Sequence, residues 1–473
     1  MTLFRTLLIA TIVQTPSLGQ LQITHDQLIA VDLNGYVVEI APKDSEEARS
    51  IIEKASSQSP PVVVTTLPSG SFLLPTFVDL HLHAPQFLYL GTGLHLPLMK
   101  WLNEYAYKAE ERLDADPELA NRVYVRLAER LLEAGTGAVL AFGTIKSETN
   151  LILAEVMQTK GLRGFVGKLS MDISSRPTYV EASAGASLSE AEMFIRRCRE
   201  IPIGPENSER LVHPVVTPRF VPTCSDELLL GLGKLVKAEG VHVQSHLAEA
   251  RDQVDWVRNT RNAEDIDVFD RSGLLTSRTI QAHCTFLHSP ELTRMQASGA
   301  AIAHCPLSNA YFSSQPFRLR EALSAGVTVG LGSDVAGGYQ IDIMSAMRNA
   351  VSTSRMRDGS LREADIEAAN QPSGASHTNV SIEWKEALFL ATRGGANALG
   401  LLTGCLKPGS PFDAQRIDLT TENYHGVGAL DFFDATKDFE IDEDAVEKWW
   451  CLGDNRNRRS VWIQGRQVYN AEV

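Results

Sequence analysis

The chain contains no Cys-x-x-Cys pair, no apolar run of the ~18 residues that a membrane helix requires, and no excess of positive charge. Its six cysteines (Cys198, Cys224, Cys284, Cys305, Cys405, Cys451) are scattered through 473 residues. That spacing excludes a dense disulfide framework and reads as buried thiols in a reducing, cytoplasmic setting. It also excludes the deaminases that hold zinc with a His-x-Glu and Pro-Cys-x-x-Cys signature. A net charge of -14 argues against a partner with a phosphate backbone, so no nucleic acid is expected. Gly91-Thr92-Gly93 lacks the third glycine of a dinucleotide-binding turn. The N-terminal run Thr6 to Val13 is short and β-branched, and Gln27 to Val31 repeats the pattern. Both read as strands rather than as a signal peptide or membrane segment. Asn379-Val380-Ser381 is a sequon by chance.

The 44% of hydrophobic residues suffices for one large core with a smaller satellite. Between residues 70 and 334, short apolar runs alternate with amphipathic ones. Strands are expected over 72–81, Thr136 to Ile145, Gly164 to Met171, Val212 to Thr217, Val241 to Ser245, Thr279 to Ala282, Ala300 to Ala303 and Val327 to Gly332. Helices are expected between them, as at 118–134 and 225–239. This is the pattern of a (β/α)8 barrel of the TIM type, an α/β fold whose parallel strands are buried on both faces; an open doubly wound sheet is the alternative. Residues 1–70 and 403–473 are rich in turns and short β runs. They are expected to combine into one small β-sandwich-like domain beside a barrel of residues 71–402. Residues 356–382, charged and then rich in Asn, Pro, Ser and Gly, read as an extended loop.

The chemistry gathers at strand ends. His81 and His83 close an apolar run, and alternate residues of a strand point to one side, so both imidazoles can face one point. His246, His283 and Asp334 each follow a later predicted strand, and Glu249 lies three residues beyond His246. Taken singly, each has a bland reading: a structural histidine, a helix N-cap at Gly332-Ser333-Asp334, a surface pair at His-x-x-Glu. Their joint occurrence at the ends where a barrel places its active site outweighs those readings. Imidazoles with a carboxylate suit Zn2+, and also Fe2+ or Mn2+.

The order HxH, His, His, Asp over a barrel resembles the amidohydrolase superfamily. More specific motifs are Val78-Asp79-Leu80-His81-Leu82-His83-Ala84-Pro85-Gln86, Thr217-Pro218-Arg219-Phe220, Ser245-His246-Leu247-Ala248-Glu249, Ala303-His304-Cys305-Pro306 and Gly332-Ser333-Asp334-Val335-Ala336-Gly337-Gly338. These resemble the guanine deaminases of that superfamily, over residues from about 70 to 468. The resemblance implies one zinc per subunit on His81, His83, His246 and Asp334, with a metal-bound water of pKa near ~7 as nucleophile. It implies Glu249 as proton shuttle, His283 and Asp334 as further catalytic groups, free guanine and water as reactants, and a homodimer. Substrate contacts would come from His83, Gln86, Arg219, Phe220, His246, Glu249 and Asp334. The Gln86 amide and the Arg219 fork suit a purine edge, and the Phe220 ring suits its face.

Other readings stay open on the residues alone. Arg219 could pair with a barrel carboxylate and Phe220 could be core; Trp101 fits an ordinary helix start, His304 a supporting strand residue, and His95 and His288 structural positions. The sequence departs from the resemblance at Thr76, Ala248, Ala250, Leu307 and the stretch Tyr311 to Phe317, all of which bear on pocket shape. A related amidohydrolase acting on another purine, a pterin or a triazine is the enzymatic alternative. A silent scaffold on the same fold is the alternative of another class.

Overall fold

The computed structural model describes residues 3–204, 207, 209–369, 377–420, 428–433 and 439–471. In chain order the strands are β1 (Phe4–Ser17), β2 (Gln20–Asp32), β3 (Val37–Pro42), β4 (Val64–Thr66), β5 (Ser71–Pro75), β6 (Phe77–His83), β7 (Thr136–Phe142), β8 (Arg163–Ser170), β9 (Val212–Pro218), β10 (His242–Leu247), β11 (Thr279–His283), β12 (Ala301–His304), β13 (Val329–Leu331), β14 (Ala414–Asp418), β15 (Arg458–Ile463) and β16 (Arg466–Asn470).

Strands β6 to β13 form one parallel sheet in sequential order. Two backbone hydrogen bonds bring its edges together: Asp334 donates to the carbonyl of His81 (2.8 Å) and His83 to that of Val335 (2.7 Å). The expected barrel is therefore present, with β6, β7, β8 and β11 buried along their whole length. Helices follow the strands as expected, including Pro117–Glu133 and Asp226–Glu239. The second sheet joins both ends of the chain in the order β16-β15-β14-β5-β1-β2-β3, with β4 beside β1. Its apolar cluster draws Leu8, Ile12, Ile29, Val31, Leu73, Ala414 and Trp462 from five strands belonging to both ends of the chain. Gly35 has φ +82°, and a Cβ there would sit 1.8 Å from the Gln464 carbonyl oxygen. Only glycine lets the turn after β2 press so closely against the turn between β15 and β16.

Two expectations require correction. The run 72–81 is not one strand. Its first part is β5, paired with β1 and β14 in the terminal sheet, and its second part is β6 of the barrel. The hydrophobic pattern runs on across the break, whereas Pro75 has no N–H to continue a ladder. The expected loop over 356–382 begins instead inside a helix, Ile343–Ala369. Its early turns bury Ile343, Met344, Met347 and Ala350, and this anchored half extends into a segment of good helix formers such as Leu361, Arg362, Glu363 and Ala364. Residues 370–376 of that stretch lie outside the described residues.

A buried ion pair fastens the two sheets. Arg163, at the start of β8, donates from Nε to Asp413 Oδ2 at 2.6 Å, and Asp413 is 1% exposed. Removing one member of such a pair strands the other charge in the interior. Arg163→Met is expected to lose about 3 kcal/mol of stability, seen as a lowered thermal midpoint, and Arg163→Met with Asp413→Leu should recover much of that loss. An unchanged midpoint in the single variant would show that the pair does not hold the sheets together.

Candidate metal centre and active site

The C-terminal ends of the barrel strands are where such folds place their chemistry, and the polar strand-end residues converge there. β6 supplies His81 and His83 on one face, while the intervening Leu82 and Leu80 pack into hydrophobic clusters. β10 supplies His246, β11 ends on His283, and Asp334 follows β13. His81, His283 and Asp334 are 1%, 0% and 4% exposed. His81 Nε2 lies 3.1 Å from Asp334 Oδ1, His83 Nε2 lies 3.7 Å from the same oxygen, and His83 Nε2 is 3.0 Å from His246 Nε2. Ligand atoms of His81, His83 and His246 fall within 4.8 Å of one another, as do those of His81, His283, Cys305 and Asp334.

The arrangement fits a cation. His246 Nδ1–H donates to the Arg219 carbonyl at 2.6 Å, which fixes the tautomer and turns an unprotonated Nε2 inward. His81 Nε2 is buried with no hydrogen-bond partner, a costly state for a polar atom unless something else satisfies it. Burial, reinforced by neighbouring cationic groups, holds the pKa values of His81, His83 and His246 well below the ordinary histidine value. They are neutral imidazoles at neutral pH, the form that can ligate a metal. His283 Nδ1 meets Asn309 Oδ1 at 2.9 Å, so its Nε2 faces Glu249 Oε1 at 3.7 Å and Asp334 Oδ2 at 3.8 Å.

Backbone strain concentrates at the same place. Ala248, His283, Cys284 and Asp334 have φ of 46°, 67°, 55° and 50°, a left-handed region that residues with a Cβ rarely occupy and that clusters at functional sites. Asp79 reinforces the frame from below: it accepts from the His81 and Ser333 amides at 3.1 and 3.0 Å and from Ser333 Oγ at 2.5 Å. Burial raises its pKa to about 7. Glu249 is held by its backbone, the amide donating to Gln253 Oε1 (3.2 Å) and the carbonyl accepting from Ser313 Oγ (2.5 Å). Burial raises the Glu249 pKa well above the carboxylate range, with Asp334 adding to the effect. A carboxyl group raised in this way keeps a proton more readily than an ordinary carboxylate, which suits a group that must take up a proton and return it.

A cleft with about 350 Å³ of empty space opens beside these groups. His83, Gln86, Arg219, Phe220, His246, Glu249 and Asp334 line it together with Leu98, Trp101, Leu102, Phe312 and Gly337. Every residue expected at a substrate therefore borders one cavity. His283 lies behind it, against Glu249 and Asp334. Trp101 proves to be a wall residue, its ring 5.1 Å from that of Phe312. Arg219 also fulfils its bland reading: Nη1 donates to Glu110 Oε2 at 2.7 Å. Burial opposes its charge, but Glu110, with Tyr107 beside it, more than offsets that, and its pKa is raised. His304 is buried against Phe317, where burial lowers its pKa to about 3; His95 and His288 are exposed. Glu110 carried no signal in the sequence, Phe312 stood out only as part of the stretch Tyr311 to Phe317 that bears on pocket shape, and Asn309 had a signal in its place four residues after Cys305.

Comparison with known proteins agrees with this geometry. Residues 72–468 match the amidohydrolase family. The chain is 34% identical to human guanine deaminase over 455 residues, covering 95% of this chain and 93% of that protein. It is 33% identical to guanine deaminase of Dictyostelium discoideum, covering 97% of each. The crystal structure of guanine deaminase from C. acetobutylicum with bound guanine in the active site superposes with a TM-score of 0.82 at 25% identity, covering 98% of this chain and 100% of that one. The curated guanine deaminases just named match it over most of their length, and the chain belongs to the amidohydrolase family.

Proposed function

We propose that this enzyme hydrolyses guanine to xanthine and ammonia. The observation that carries the reading is the single cleft in which Gln86, Arg219 and Phe220 stand beside Glu249 and a set of buried imidazoles. Full-length similarity to guanine deaminases supports it. His81, His83, His246 and Asp334 would hold the metal, and their three neutral nitrogens with one carboxylate favour zinc. The bound ion supplies Lewis-acid activation of a water molecule.

The chain's own residues do the rest. The Gln86 amide and the Arg219 fork hold the polar edge of the base, while Phe220 covers its face. Glu249 takes one proton of the attacking water and passes it to the ring nitrogen as the C–O bond forms. The second proton, from the hydroxyl on the tetrahedral carbon, goes to the amine, which leaves as ammonia as the C–N bond breaks. His283, oriented by Asn309, stands 3.7 Å from Glu249, where it steadies the water and the tetrahedral carbon. Leu98, Leu102 and Phe312 make the walls apolar and exclude bulk water. The six free cysteines support a cytoplasmic setting, and among the described residues no helix is long and apolar enough to cross a membrane. A homodimer is the expected assembly, read by sedimentation velocity.

Ammonia release from a panel of free bases, pterins and triazines, measured beside the metal content of the same preparation, tests the reading. Guanine should be the preferred substrate, and metal-loaded protein that leaves guanine unchanged would refute it. Arg219→Lys keeps a cation for Glu110 but loses the fork. It should raise KM for guanine by roughly 10-fold or more, the equivalent of one charged hydrogen bond, with a smaller change in kcat. An unaltered KM would remove Arg219 from the substrate site.

A further inference from the structure

Resting on the guanine reading above, we propose that Glu110 is the positioning residue that sets how the cleft reads the base edge. It does not line the cleft and is 0% exposed. Its two carboxylate oxygens are divided between the two polar residues that do line it. Oε1 accepts from Gln86 Nε2 at 2.8 Å, and Oε2 accepts from Arg219 Nη1 at 2.7 Å. One side chain thus fixes both halves of the recognition surface from behind.

The chemistry makes the division directional. An ionised carboxylate only accepts hydrogen bonds, so it requires the nitrogen end of the Gln86 amide to face it. A flipped amide would set a carbonyl oxygen against Oε1, two acceptors with no proton between them. The carbonyl end of Gln86 is correspondingly turned toward the Ala336 amide, at 3.4 Å. For Arg219, one N–H is committed to Glu110 and the guanidinium lies over the Tyr107 ring, 4.8 Å from its centroid. The plane of the fork is fixed by both contacts. A neutral amide at position 110 could donate as well as accept, so it would no longer dictate the orientation of Gln86. It would also leave the Arg219 cation without its buried counter-charge.

The test is steady-state kinetics of metal-loaded Glu110→Gln against guanine and against 2-aminopurine, which carries the same amine but lacks the ring carbonyl. KM for guanine should rise at least 10-fold while kcat changes less than threefold. The preference for guanine over 2-aminopurine, as a ratio of kcat/KM, should fall at least fivefold. A residue that served only folding would lower yield or thermal midpoint and leave that ratio where it was. Both KM and the ratio within twofold of the parent would overturn the inference, whereas a parent enzyme inactive on guanine would overturn the functional reading instead. Should Glu110→Gln fail to accumulate folded, Glu110→Asp is measured in the same way. Its carboxylate is one methylene too short to reach both partners, and the same loss of preference is expected. If neither variant folds, Glu110 serves stability and the inference fails.

Discussion

Replacing Glu249 by glutamine is expected to leave metal content and thermal midpoint unchanged while kcat for guanine falls by roughly 10³-fold, within the range a positioned acid–base group contributes. The substitution is nearly isosteric. The backbone contacts that place the residue, to Gln253 and Ser313, do not involve its carboxyl group, so the variant should fold as the parent does. What it loses is the ability to take a proton and give it back. Deamination needs both acts, because the attacking water must lose a proton and the amine must gain one to leave as ammonia. The position suits that demand: burial, with Asp334 beside it, raises the Glu249 pKa well above an ordinary carboxylate, which favours the protonated form that can act as an acid. His283 Nε2 and Asp334 Oδ2, 3.8 Å apart, are the nearest groups that could stand in. If Glu249→Gln retains more than a tenth of parental kcat, one of them carries the proton and the assignment to Glu249 is wrong.

The ligand-type residues were legible in the sequence because a parallel barrel strand is a strong pattern with a polar interruption only where chemistry demands one. His81 and His83 stand out against Phe77, Val78, Leu80 and Leu82, and Asp334 against Val329 and Leu331. The groups behind the cleft were not legible. Glu110 and Glu111 are adjacent carboxylates in one charged helix, yet Glu110 is fully buried under Arg219 while Glu111 meets Arg176 near the surface. A π-helical turn over Leu102–Ala106 precedes them and shifts the helical phase, so spacing counted from Trp101 does not show which carboxylate faces inward. The break at Pro75 was hidden for a related reason. Strands β5 and β6 are both buried throughout, and hydrophobicity reports burial without reporting in which sheet.

Stripping the metal with a chelator should lower guanine turnover more than 100-fold, and one equivalent of zinc per chain should restore it. Two independent costs fall on the stripped protein. The water loses the activation that a bound ion provides, and three buried imidazoles lose the partner their geometry anticipates, since His81 Nε2 has no hydrogen bond among the described residues. The second cost gives a readout that does not depend on turnover. An ion that binds only the folded chain stabilises it by about 4 kcal/mol at a concentration 1,000 times Kd, so the thermal midpoint should rise on adding zinc. His246→Ala should abolish that rise, because its Nε2, held inward by the Arg219 carbonyl, would be one of only four ligands. Removing Cys305, which also lies within ligand reach of His81 and Asp334, distinguishes the proposed set from a thiolate site. Burial pushes the Cys305 thiol well above its ordinary pKa, which disfavours the thiolate a metal would require. Cys305→Ala should therefore keep the zinc-dependent rise. A variant that loses it would place sulfur in the ligand set and displace Asp334 from it.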